Sequence, residues 1–236
     1  MKSFETLWDK APPRILALPG ATETLVIAFA SIGHDASRPP SPEFVGTATA
    51  DDWPALLVMD ASRSRANAPD FAPSLKSAVE RIRARHPISR VVAIGQSIGG
   101  FAALVAASLM PIDMVLAFGP QSSIDPASRP EETRWREWTA RVVPLKTARA
   151  PLTPGTRTIP LHGLHNDRFQ ALGFPQTPGV DHILFPDLIH SALGPHLKQR
   201  GVLDGLLGSA IADNRRTMRR IAAGAGGILR QKLRPY

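Results

Sequence analysis

Apolar residues along the chain gather in short runs of strand length, at residues 24–29, 55–59, 91–94, 114–118, 158–161 and 182–185. Several of these runs lack polar alternation, the pattern of strands covered on both faces of a parallel sheet. Between them the period changes. Residues 73–86 place Leu75, Val79 and Ile82 at helical spacing, with basic residues on the other side. Residues 98–110 are apolar on most sides, which predicts a buried helix. Residues 131–142 put Trp135, Trp138 and Val142 on one stripe, and residues 202–223 read as one further helix. Strand and helix patterns alternating in this way predict an α/β domain, a doubly wound and mostly parallel sheet with helices on both faces. One such domain over residues 1–210 is expected, followed by a basic helical tail over residues 211–236.

Proline supplies the punctuation. The 23 prolines cluster near residues 12–13, 39–42, 126–130 and 144–160, where the chain must turn. The stretch between residues 29 and 55 is proline-rich and shows no convincing helix, so the first crossover is irregular. Residues 126–157 offer the only room for a lid, and it is short.

Composition narrows the chemistry. The chain has 236 residues, 43% of them hydrophobic and 20% charged, which is a globular balance. It has no cysteine, which excludes disulfides, thiolate metal sites and cysteine nucleophiles. The first residues lack a secretory leader pattern and no run is long enough to span a membrane, so a cytoplasmic protein is expected. The net charge of +8 resides mostly in the tail, where Arg215, Arg216, Arg219, Arg220, Arg230, Lys232 and Arg234 face only Asp213. That tail suits either a helix packed on the domain or a peripheral contact with an anionic membrane or acidic partner. Nucleic acid is not expected, since Tyr236 is the tail's one aromatic residue.

The sharpest local signal is Gly95-Gln96-Ser97-Ile98-Gly99, placed where the run at 91–94 hands over to the helix at 98–110. A serine at so sharp a strand-to-helix turn needs small neighbours two residues either side, and its hydroxyl is presented beside a helix N-terminus. A plain tight turn is the blander reading. A serine nucleophile requires a base, and that base requires an orienting acid. Among the seven histidines His190 is favoured, in a loop after the last strand pattern; His196 reads as a packing residue. For the acid, Asp167 follows the run at 158–161; it could equally cap a helix starting near residue 168. Asp125 and Asp187 are the alternative acids. His162, His165 and Asp167 lack a good metal-ligand spacing, and neither a metal nor a cofactor is expected.

Serine, acid and histidine in the order Ser97, Asp167, His190, each after a successive strand, resemble the α/β-hydrolase fold over roughly residues 24–203. The resemblance implies Ser97 as nucleophile, His190 as general base and acid, and Asp167 as the group that fixes the imidazole tautomer. It implies an oxyanion hole made by the N–H of Ile98 and one N–H from the loop "FASIGHDA", at Ser31 or Ile32. That loop lacks the usual histidine-glycine signature. His34, Arg63, Arg65 and Gln121 fall in loops at the same end of the sheet and are candidate substrate contacts; a solvated polar loop is the alternative for the two arginines. The expected activity is cleavage of an ester, thioester or similar acyl bond on a small-molecule or glycan-linked substrate. An acyltransferase with the same triad, or a non-catalytic binding protein on the same fold, remains the alternative.

Overall fold

The computed structural model describes residues 3–233 except 34 and 36, so the expected contact at His34 lies outside the described residues. Nine strands among those residues form one sheet. They are β1 (Glu5–Asp9), β2 (Pro13–Leu18), β3 (Thr24–Phe29), β4 (Ala55–Asp60), β5 (Arg90–Gln96), β6 (Met114–Phe118), β7 (Arg157–Gly163), β8 (Ile183–Phe185) and β9 (Ile228–Leu229). Their order across the sheet is β1-β2-β4-β3-β5-β6-β7-β8-β9. From β4 to β8 every pair is parallel, while β1, β2 and β9 join antiparallel at the two edges.

The helices are α1 (Val45–Ala48), α2 (Phe71–Arg83), α3 (Ile98–Leu109), α4 (Arg136–Ala140), α5 (Leu164–Gly173), α6 (Leu193–Gln199), α7 (Leu203–Ile211) and α8 (Arg215–Gly224). The apolar run of β5 shows why alternation is missing from the sequence. Val92 and Ile94 face a core closed by residues of α6, α7 and α8, whereas Val91 and Ala93 face a second core closed by α2 and α3. Both faces are dry, so neither set of side chains can be polar.

Four local outcomes differ from the sequence pattern, each for a visible reason. The hairpin of β1 and β2 was hidden by the prolines around its turn; Pro13 is tolerated because it opens its strand. Of the helix expected over residues 131–142 only α4 forms. Glu132 and Arg134 make a two-pronged ion pair two residues apart, and side chains at that spacing do not face each other on a helix. The helix expected over residues 202–223 is broken into α7 and α8 by Asp213 at φ 51°, after which the Asn214 side chain caps α8 by accepting from the Thr217 N–H at 3.0 Å. Finally, α5 starts four residues earlier than expected, so Asp167 lies inside its first turn and is not its cap.

The basic segment is built into the domain. Met218 and Ala222 of α8 are buried in the core, and β9 pairs with β8 through Ile228 and Leu229. Arg157 and Arg219 close on Asp181 at 3.0 and 2.8 Å, tying α8 to the start of β7. No helix among the described residues is long and apolar enough to cross a membrane.

Candidate active site

Ser97 sits between β5 and α3 with φ 55° and ψ −121°, a conformation that costs an L-residue about 1–3 kcal/mol and persists only where the surroundings enforce it. They do so through backbone. The Ser97 N–H donates to the Phe118 carbonyl at 2.7 Å. A Cβ on Gly95 would lie 2.4 Å from the Gly99 carbonyl, and one on Gly99 would lie 2.4 Å from the Phe29 carbonyl oxygen. The two glycines are therefore demanded by close approach, as the motif required.

A short 3₁₀ turn after β8 (His190–Ala192) and the start of α5 bring the partners. His190 Nε2 is 2.9 Å from Ser97 Oγ, and His190 Nδ1 is 2.5 Å from Asp167 Oδ2. The Ser97, His190 and Asp167 side chains are all buried. Neutral imidazole has a single N–H, and the carboxylate can only accept, so the proton resides on Nδ1 and Nε2 is free to accept from the serine hydroxyl. Asn166 Oδ1 accepts the His190 backbone N–H at 2.7 Å. Gly119, at φ 55°, lies so close to the imidazole that a Cβ there would meet Nδ1 at 3.0 Å. Asp125, one of the two alternative acids, is engaged in its own turn, accepting from the Ala127 N–H and the Ser128 hydroxyl.

Two residues that the sequence did not single out complete the acid. Arg134 Nη2 donates to Asp167 Oδ1 at 2.6 Å and, with Nε, to both oxygens of Glu132. Burial alone would raise the Asp167 pKa; the hydrogen bond and charge of His190, then those of Arg134, outweigh it and leave the carboxyl below its usual value. The Trp135 ring lies 5.9 Å from the imidazole centroid to centroid. No sequence signal marks Arg134, because it reaches Asp167 from an irregular segment 33 positions earlier.

The remaining candidates line the same end of the sheet. Ile98 opens α3, so its N–H points away from the helix body at the positive end of the dipole. The Ser31 hydroxyl is committed to Glu43 at 2.5 Å. Arg63 is buried beneath the Ser31–Ile32 loop and fastens it, donating to the carbonyls of Ile32, Asp35, Arg38 and Ala61. Arg65 donates from Nε to Gln121 Oε1 at 2.8 Å, and burial, partly offset by Glu132, pushes its pKa down to about 10. It shares a crevice of about 10 Å³ with Ile98, room for about one water.

No protein-family model and no curated protein sequence matches the chain. Solved structures do. The capsule O-acetyltransferase of Neisseria meningitidis serogroup A superposes with a TM-score of 0.60 at 11% identity, covering 87% of this chain and 93% of its own. The 2,6-dihydroxy-pseudo-oxynicotine hydrolase gives 0.58 at 14% identity, with 88% and 67% covered. An α/β serine hydrolase without a lid from Xanthomonas campestris gives 0.52 at 13% identity, with 86% and 92% covered. The fold is that of the α/β hydrolases.

Proposed function

We propose that this α/β-hydrolase-fold chain is a serine hydrolase that cleaves an ester, thioester or similar acyl bond through an acyl-enzyme on Ser97. The observation that carries the reading is the unbroken line Ser97–His190–Asp167 on a positive-φ elbow. A serine hydroxyl at its ordinary pKa is a poor nucleophile, and that line supplies what it lacks. Ser97 Oγ attacks the acyl carbonyl while His190 Nε2 takes its proton, and Asp167 stabilises the imidazolium that forms. The negative oxygen of the tetrahedral intermediate is received by the N–H of Ile98 and one N–H of the Ser31–Ile32 loop. His190 then protonates the leaving group, and water, activated by the same imidazole, releases the acyl group.

The acceptor distinguishes a second reading, acyl transfer to a hydroxyl of a small molecule or glycan. Its support is the likeness to an O-acetyltransferase. Both readings share the acyl-enzyme. Purified protein offered p-nitrophenyl acetate, p-nitrophenyl butyrate and an acetyl thioester should release the leaving group above background, and Ser97→Ala should release none. Added saccharide should become acetylated if transfer is the reaction. A folded wild type that turns over none of these donors contradicts both readings and leaves a binding protein on this fold.

A further inference from the structure

We propose that Arg134 is a positioning residue for the acid of the triad, and that the Glu132–Arg134 pair tunes how strongly that acid acts on the imidazole. This rests on the reading of Ser97, His190 and Asp167 as a catalytic triad.

The geometry is specific. Asp167 divides its two oxygens between two partners, Oδ2 at 2.5 Å from His190 Nδ1 and Oδ1 at 2.6 Å from Arg134 Nη2. With both oxygens occupied, the carboxylate plane has one orientation, the one that presents Oδ2 to the imidazole. Arg134 itself is fixed by the fork to Glu132, at 2.8 Å from Nε and 2.6 Å from Nη2. Two carboxylates thus share one guanidinium. The Asp167 and Glu132 side chains are almost fully buried, whereas that of Arg134 is 27% exposed. A buried carboxylate needs a cation beside it, and here the cation comes from a segment with little regular structure.

The sign of the effect follows from the charges. Among the described residues, the charged and titratable groups facing the Asp167–His190 pair are Arg134, Glu132 behind it, and His162 of β7, which burial holds neutral with a pKa of about 4. Arg134 draws the negative charge of Asp167 away from the imidazole, so it weakens the attraction between that carboxylate and the imidazolium formed in turnover. Glu132 opposes that by neutralising Arg134. Removing Arg134 must therefore move the acid limb of activity up, and removing the charge of Glu132 must move it down. A residue that merely held the segment in place would lower the rate without moving the limb.

The test is kcat/KM for p-nitrophenyl acetate against pH in the wild type, Arg134→Met, Arg134→Lys and Glu132→Gln. The acid limb should rise by about one pH unit in Arg134→Met, return most of the way in Arg134→Lys, and fall in Glu132→Gln. An acid limb in folded Arg134→Met that superimposes on the wild type overturns the proposal, whatever the plateau rate. So does a Glu132→Gln limb that moves upward. If Arg134→Met fails to fold, the opposite displacements expected of Glu132→Gln and Arg134→Lys decide. A wild type without Ser97-dependent turnover refutes the triad reading itself; Ser97-dependent turnover with unmoved limbs refutes only the role of Arg134.

Discussion

Ser97 holds a strained backbone, at φ 55° and ψ −121°, and Gly95 and Gly99 are the neighbours that its sharp turn demands. Asp167→Asn tests the acid most sharply. It keeps the shape but offers the wrong hydrogen-bonding group to Nδ1, so kcat for an activated ester should fall about 10⁴-fold with the far-UV spectrum unchanged. Asp125→Asn should leave kcat within about twofold, because Asp125 only caps its own turn. Equal losses in both variants would remove Asp167 from the role given to it. At this scale the sequence was informative wherever residue type and local context coincide. A serine between glycines after an apolar run, an acid after the penultimate apolar run and a histidine after the last are all readable along the chain. Arg134 was not, since its partner is far away in sequence and its own segment has no period. Arg63 read as a candidate ligand because basicity is visible in a sequence; that it would turn inward to hold four carbonyls is a tertiary fact.

At the scale of elements, the strands buried on both faces were legible because an unbroken apolar run has few other uses. The edge hairpin of β1 and β2 was not, since its prolines resemble loop punctuation, and β9 is only two residues long. The junction of α3 with β3 is backbone against backbone. Gly99→Ala sets a methyl against the Phe29 backbone, which cannot give way as a side chain can. It should cost about 1–3 kcal/mol and lower Tm by several degrees, together with activity. A Gly99→Ala protein with unchanged Tm would contradict the close packing of the elbow on β3. On the other face, Met218 is fully buried although it belongs to the most basic part of the chain. Met218→Ala should cost about 2–5 kcal/mol by urea denaturation. A neutral result would mean that α8 is an appendage to the domain.

At the scale of the whole molecule, +6 of the net charge of +8 falls within residues 215–232, on α8 and just after β9. The pH dependence of stability has a separate source in the buried pair His162 and His182. Pro120 O can only accept, so His162 Nε2 carries its proton; His162 Nδ1 then accepts from His182 Nε2, at 2.9 Å. Burial drives both pKa values down, to about 4 for His162 and about 2 for His182, where the charge of Arg230 adds to the effect. A depressed histidine binds its proton better in the unfolded chain. Its contribution is therefore fully present above the unfolded value of 6.5 and is lost as the pH falls below it. Each should remove about 1.4 kcal/mol per pH unit, so the urea midpoint should drop steadily from pH 6 to 4.5, above the range in which Asp167 and Asp181 protonate. His182→Gln, which keeps a donor for His162, should roughly halve that slope; an unchanged slope would contradict the account of the pair. The central claim concerns one hydroxyl, and a fluorophosphonate probe with intact-mass and peptide mapping reads it directly. The account predicts one adduct on the wild type, located at Ser97, and none on Ser97→Ala. A folded wild type that takes no adduct, or takes it at another serine, would contradict it.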